Sequence, residues 1–299
     1  MKTLARSIFF TFFKFKFFNF MATTAFNSQI FIQEAIPGFE SQSSDLRTTV
    51  HTVANIRGTT ATFLVADSGS AVATTRGADG LIPARPDSLT QSTATLSEWH
   101  DLVRKTKYTI DFGQADQRAV AIRTTNLVIN KKIDLDIIAQ LDTATNQVSA
   151  TADLASLSMV AAAMRELGEN GINPNDSENL FAVVTPAFYA QLMQIKEFTS
   201  SDYVDVKPMS GGMGQKMKRW FGVNWIQSNL LTGMGTATEK CYIYHRDAIG
   251  HAIDSSTLDI SVGYNEEQAY HFIRASANMG SKMLQQGGVV QMLHTGNVA

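Results

Sequence analysis

Cysteine is almost absent from this chain. Cys241 is the only one in 299 residues, so no intrachain disulfide can form and a small disulfide-stapled scaffold is excluded. It stands in the apolar run Cys241-Tyr242-Ile243-Tyr244, where a thiol acts as a small hydrophobe, and synthesis in a reducing cytoplasm fits. Charge is also scarce: charged residues make up 17% of the sequence, below the roughly one quarter usual for globular domains. Basic and acidic residues number 25 and 27, a net charge of -2, so the chain has no overall basic field to draw it to nucleic acid. A local basic face is compatible with that balance, and low surface charge suits extensive subunit contact.

Long apolar runs are missing too. The first twenty residues come nearest, eight of them Phe, but Thr11 interrupts Ile8 to Phe13 and Lys14 and Lys16 follow. A membrane-spanning helix needs roughly 20 apolar residues; a signal peptide needs an unbroken run of at least about seven and a small-residue cleavage site. Neither pattern fits. The expectation is that Met21 begins the functional protein and that residues 1–20 are an extension without a folding role. An amphipathic membrane-binding segment is the alternative for that stretch.

Signatures of chemistry are equally thin. His51, His100, His245, His251, His271 and His294 include no pair at the i, i+4 spacing that sets two metal ligands on one helix face. Gly211-Gly212-Met213-Gly214-Gln215-Lys216 approaches a phosphate-cradling loop, yet Gln215 separates Gly214 from Lys216 and Met217 stands where Ser or Thr belongs. That loop reads as a flexible turn. Glu266-Glu267 and the pair Asp134 and Asp136 read as solvated faces, since acid–base work needs two carboxyls in different environments around one pocket. No Ser occupies a Gly-x-Ser-x-Gly elbow, and Cys241 has no evident His or Asn partner. Asn175-Asp176-Ser177 fits a glycosylation acceptor, a triplet frequent by chance. The chain therefore reads as no enzyme, with no catalytic, cofactor-binding or metal residue and no cofactor.

What the chain does contain is an order of elements. Residues 21–46 are polar around Pro37-Gly38, with apolar Ile30, Phe31, Ile32 and Ile36: an arm, not a core. From Arg47 to Ile110, β-branched runs at Thr48–Val65 and Leu102–Ile110 flank a stretch holding Gly69, Gly77, Gly80, Pro83 and Pro86. The turn residues predict a projecting hairpin with a long polar tip, ordered by docking on another molecule. Past Asp111, a residue placed to cap a helix, Ala115, Ala119, Ile122, Ile129, Ile133 and Ile137 share one helical face, and no Gly or Pro interrupts Gln114 to Leu141. A second helix is predicted over Leu154–Leu167, stopped by Gly168 and Asn170-Gly171. A strand at Phe181-Ala182-Val183-Val184 enters Thr185-Pro186 and a helix. Gly222-Val223-Asn224-Trp225-Ile226, His245-Arg246-Asp247-Ala248 and strands at Ala269–Ala277 and Val289–Leu293 follow, with Gly280 and Gly287-Gly288 as bends.

In this joint order and spacing, residues 22–295 resemble the major capsid protein of tailed double-stranded DNA bacteriophages, the Hong Kong 97-type coat fold. The resemblance implies an α+β fold with an N-terminal arm at 21–46, an extended β-hairpin loop at 47–110 and a long spine helix. A peripheral domain would comprise 111–149 and the returning strands of 255–299, and an axial domain 150–254. It further implies self-assembly through hexamers and pentamers into an icosahedral virion shell made in the host bacterial cytoplasm. Double-stranded DNA inside would be contacted nonspecifically through whichever of Arg118, Arg123, Lys131 and Lys132 face inward. Scaffolding, portal or decoration proteins are possible partners, and a membrane is not. The rivals are an encapsulin-like nanocompartment shell, an α/β enzyme binding a phosphorylated ligand at the Gly211 loop, and, as a weaker third, a secreted adhesin.

Overall fold

The structure, a computed structural model, describes residues 43–54, 56, 58–67, 71–85, 88–111, 116–196 and 218–296. The Phe-rich segment 1–20, most of the arm and the Gly211–Lys216 loop lie outside the described residues.

The main core is built on a six-stranded sheet ordered β5-β12-β9-β6-β8-β7. These strands are β5 (Gln147–Asp153), β6 (Leu180–Val184), β7 (Lys218–Trp220), β8 (Val223–Gln227), β9 (Glu239–His245) and β12 (Val289–His294). All of β6 is buried, which is why its five residues form a continuous apolar run instead of alternating. It pairs in parallel with β8 and antiparallel with β9. The next residue starts a helix: Thr185 Oγ1 accepts from the Phe188 N–H at 3.3 Å, and Pro186 occupies the first turn of α4 (Pro186–Leu192). Against this sheet packs α3 (Leu157–Glu169), burying Met159, Val160, Ala163, Met164 and Leu167 on one stripe. Its start falls later than the sequence pattern suggests because the Ser156 side chain caps it.

A second sheet has the order β1-β10-β11-β4, from β1 (His51–Ala54), β4 (Ser97–Thr106), β10 (Ile249–Asn265) and β11 (Tyr270–Met283). Across it lies the long helix α2 (Gln117–Leu141), which follows the short α1 (Lys107–Asp111). Asp116, not Asp111, caps α2, accepting from Arg118 N and Ala119 N at 3.1 and 3.2 Å. Ile129 packs on Ala275 and Ala277, while Ile133, Ile137, Ile138 and Leu141 enter the main core. Ala119 is exposed and Ile122 only half-buried, so the predicted stripe is buried along the C-terminal part of the helix alone.

Polar groups on α2 fasten the rest of the chain. Asp134 is not a solvated residue: it is buried and accepts from Ser44 Oγ (2.5 Å), Leu46 N (3.1 Å) and Asp45 N (3.3 Å). It thereby holds the chain entering Arg47–Thr49, whose flanking Leu46 and Val50 join the core. Burial raises its carboxyl above the ordinary value, outweighing those hydrogen bonds. At the other end Asp142 accepts from the Tyr242 hydroxyl and from Thr232 Oγ1, the latter at 2.6 Å. Gln140 Oε1 accepts from Met283 N at 3.2 Å. The helix thus ties the two sheets together.

The third unit is the two-stranded hairpin of β2 (Thr60–Asp67) and β3 (Ser88–Thr95). It is shorter than the predicted hairpin over Arg47–Ile110. β1 pairs in parallel with β10, and β4 pairs with β11 from Thr106↔Tyr270 to Ser97↔Met279, so both outer runs belong to the four-stranded sheet. Pattern alone could not tell a hairpin arm from a strand with a distant partner. Two further expectations change. β12 joins the six-stranded sheet through β9 and β5, not the returning peripheral strands. Gly280 is no bend but lies inside β11, where a Cβ would come within 2.2 Å of the Thr95 carbonyl oxygen; the hairpin's base crosses there too closely for a side chain.

Candidate assembly surfaces

The hairpin packs on the rest of the subunit through its root. Ala61, Phe63, Ala94 and Leu96 form a small cluster with Ala252 of β10, and His51 meets the Phe63 ring edge-on at 6.3 Å. Alternate residues face outward, with Leu64 opposite Gln91 and Leu89 opposite Ala66. Leu64 is 64% and Leu89 58% exposed. Further out, Val72, Leu81 and Ile82 are also exposed, beside a turn in which Gly80 N donates to Gly77 O at 2.9 Å. A two-stranded ribbon is marginal alone, and this one carries apolar side chains that its own subunit does not cover.

Beside the root opens a groove of about 410 Å³, lined by His51, Val53, Phe63, Val65, Asp247 and Leu284 among others. His51 Nδ1 lies 3.6 Å from Asp247 Oδ1, and His245 Nε2 3.4 Å from Asp176 Oδ2. Asp176 sits below the ordinary carboxylate value, chiefly through its hydrogen bonds from Asn179. The Asn175-Asp176-Ser177 triplet is thus a structural corner: Ser177 O accepts from Asn224 Nδ2 (2.8 Å) and Arg219 Nη2 (3.1 Å).

Of the four cations considered for contact with DNA, Arg118, Arg123 and Lys131 are exposed on α2. Arg118 Nη2 lies 3.4 Å from His271 Nδ1. Lys132 instead holds its ammonium 3.7 Å above the Trp99 ring centre, a cation–π contact between helix and β4.

One buried group, with no local signature in the sequence, has the composition of a catalytic relay: Thr185, His294 and Glu239. The Thr185 hydroxyl is 2.9 Å and Glu239 Oε2 3.0 Å from the same ring nitrogen, His294 Nε2, while Nδ1 faces the Thr295 carbonyl at 3.1 Å. A relay needs the hydroxyl on one nitrogen and the carboxylate on the other. All three residues are at most 1% exposed, so no substrate reaches them; burial holds His294 below its ordinary value despite the carboxylate. Gly235 N donates to Glu239 Oε1 at 2.7 Å, which makes the group a polar rivet between β12, β9 and the start of α4. Cys241 lies beside it, its thiol pushed up to about 12 by burial, too high for a nucleophile at neutral pH. Glu266 and Glu267 occupy the exposed β10–β11 turn. Among the described residues no three His, Cys, Asp or Glu side chains are grouped to hold a metal ion. Likewise no described helix is long and apolar enough to cross a membrane.

An α+β subunit with a long helix across one sheet, a second core and an uncovered apolar ribbon is organised around contact. The phage capsid protein family model matches residues 23–296. The chain belongs to the phage capsid protein family. No curated protein sequence matches it. Among solved structures, a chain of Mycobacterium phage Che8 superposes with a TM-score of 0.69 at 16% identity, covering 91% of this chain and 98% of that one. The head structure of Helicobacter pylori bacteriophage KHP40 gives 0.67 at 11% identity, covering 93% and 98%. The capsid of a native GTA particle, computed with C5 symmetry, gives 0.66 at 14% identity, covering 92% and 98%. This capsid protein is a structural component of a virion, and its fold is that of phage coat subunits.

Proposed function

We propose that this capsid protein assembles through hexamers and pentamers into an icosahedral shell around double-stranded DNA. The observation that carries this reading is the β2–β3 hairpin: a ribbon with exposed Leu64 and Leu89, rooted on β10 and suited to lie over an adjacent subunit. The four-stranded sheet with α2 would be the peripheral domain. The six-stranded sheet with α3 and α4, now including β12, would be the axial domain directed at the ring centre. Arg118, Arg123 and Lys131 would supply nonspecific phosphate contacts, salt-sensitive and without sequence preference. Synthesis in the host bacterial cytoplasm and help from scaffolding, portal or decoration proteins complete the proposal. Electron microscopy of the purified recombinant chain tests it. Uniform closed shells, or free rings of five and six, are expected; a persistent monomer under assembling conditions would overturn it.

A further inference from the structure

The turn between β7 and β8 places a bulky side chain in a backbone conformation that disfavours it and leaves half of that side chain exposed. Trp220 pairs with Val223, which leaves Phe221-Gly222 as a two-residue loop. Both residues have positive φ, 54° and 74°, as a type I′ hairpin turn requires. Gly222 suits its position. Phe221 does not: Asn, Asp or Gly fills the first place readily, whereas a bulky L-residue is strained in the left-handed region. Burial offsets that strain only in part, because Phe221 is 50% exposed.

The turn is nevertheless held firmly. Trp225 Nε1 donates to the Trp220 carbonyl at 3.0 Å. The Phe221 ring lies 5.9 Å from Trp220, Trp220 lies 5.7 Å from Trp225, and Trp225 stacks on Phe188 at 6.4 Å. An aromatic column therefore runs from the core out to Phe221. A strained, exposed aromatic residue at the end of a rigid support has the properties of a preorganised binding anchor, which loses little further freedom on docking.

We infer that Phe221 is an inter-subunit anchor, inserting its ring into an apolar recess of a neighbouring copy of this chain during assembly. The inference rests on the coat-protein reading and names one residue that serves it. A second copy is the fitting occupant because a shell repeats one contact between every subunit and the next. Of the cations beside the turn, Arg219 is already held within the subunit, its guanidinium donating to Asn224 Oδ1 at 3.4 Å and to Ser177 O at 3.1 Å.

The test uses the full chain and separates subunit from shell. Phe221→Asn and Phe221→Gly remove the strain, so the denaturant midpoint of the unassembled subunit is expected to stay level or rise. The concentration needed for assembly should rise by about tenfold, the effect of losing one modest anchor. If the native chain assembles and both variants assemble at the same concentration, the anchor is refuted while the coat reading stands; if the native chain does not assemble, the coat reading fails first. In shells mixed from isotopically light and heavy subunits, a photoreactive phenylalanine at position 221 should cross-link light to heavy peptides. Exclusively same-isotope cross-links would overturn the proposal.

Discussion

Strands β6 and β2 are made of similar small and β-branched residues, yet they have opposite fates. Leu180–Val184 has a hydrogen-bonded neighbour on each side and is buried throughout. Thr60–Asp67 has one such neighbour, β3, and beyond its root presents Leu64 to solvent. Subunit stability therefore resides in the six-stranded sheet and the C-terminal part of α2, whereas the hairpin, on the assembly proposed above, would contribute after a second molecule arrives. If that division is right, substitutions in the two regions will separate: one set unfolds the subunit, the other leaves it folded and unable to assemble.

The largest effect is expected at Trp225, which is 2% exposed and links the aromatic column to the Trp220 backbone. Trp225→Ala should cost about 3–5 kcal/mol, combining lost burial with the cavity left behind. Urea unfolding of the unassembled subunit measures it. A loss below about 1 kcal/mol would mean that the sheet is not the seat of stability that its burial implies.

Acid should act next, and from the other sheet. His251 of β10 is wholly buried with Nδ1 2.9 Å from Ser281 Oγ, and burial pushes its pKa down to about 4, Asp136 pulling it up and Arg47 down. An unfolded histidine titrates near 6.5, so as the pH falls the unfolded chain takes the proton first. The stabilisation is complete above about pH 6.5 and is lost progressively down to about pH 4, an order of 3 kcal/mol in all. Thermal melts between pH 7.5 and 4.5 should follow this slope, and His251→Gln should flatten it; an equally steep slope in the variant would assign the acid sensitivity to other groups.

The legible parts of this fold were the local ones. Thr185-Pro186 announces a capped helix start in any context, and the apolar spacing of Ile129, Ile133 and Ile137 marks a helix face whatever it packs on. Three features depend on chain segments far apart and left no local mark. Asp134 has the local pattern of one more charge on a helix; the Ser44 and Leu46 groups that bond its carboxylate lie 90 and 88 residues earlier in the chain. Gly280 has the local pattern of a bend because the Thr95 carbonyl that excludes a side chain there belongs to another strand. Val289–Leu293 read correctly as a strand, but its neighbour β9 is a matter of topology, which a period-2 pattern cannot encode. The Thr185, His294 and Glu239 group leaves no local mark for the same reason, its members being scattered along the chain. Phe221 differs: a bulky residue just before Gly222 in a two-residue loop is a visible departure from turn preference, although it becomes informative only once the pairing of Trp220 with Val223 is known.

The smallest expected change in the subunit belongs to the hairpin, and it tests the division most sharply. Leu64 and Leu89 lie on the same outward face, diagonal to one another across the β2–β3 ladder, and both are already exposed in the free subunit. Replacing them together by Thr, a good strand residue, should therefore move the subunit's unfolding free energy by less than about 0.5 kcal/mol. In a shell where the hairpin covers its neighbour, each leucine would bury a side chain worth about 1.5–3 kcal/mol, repeated at every subunit. Light scattering should then show assembly shifted to higher concentration while the subunit's melt is unchanged. A melt that fell along with assembly would place the hairpin within the subunit's own core and dissolve the contrast with β6. Unchanged assembly would leave the contrast intact but deny the ribbon's outward face its role in joining subunits.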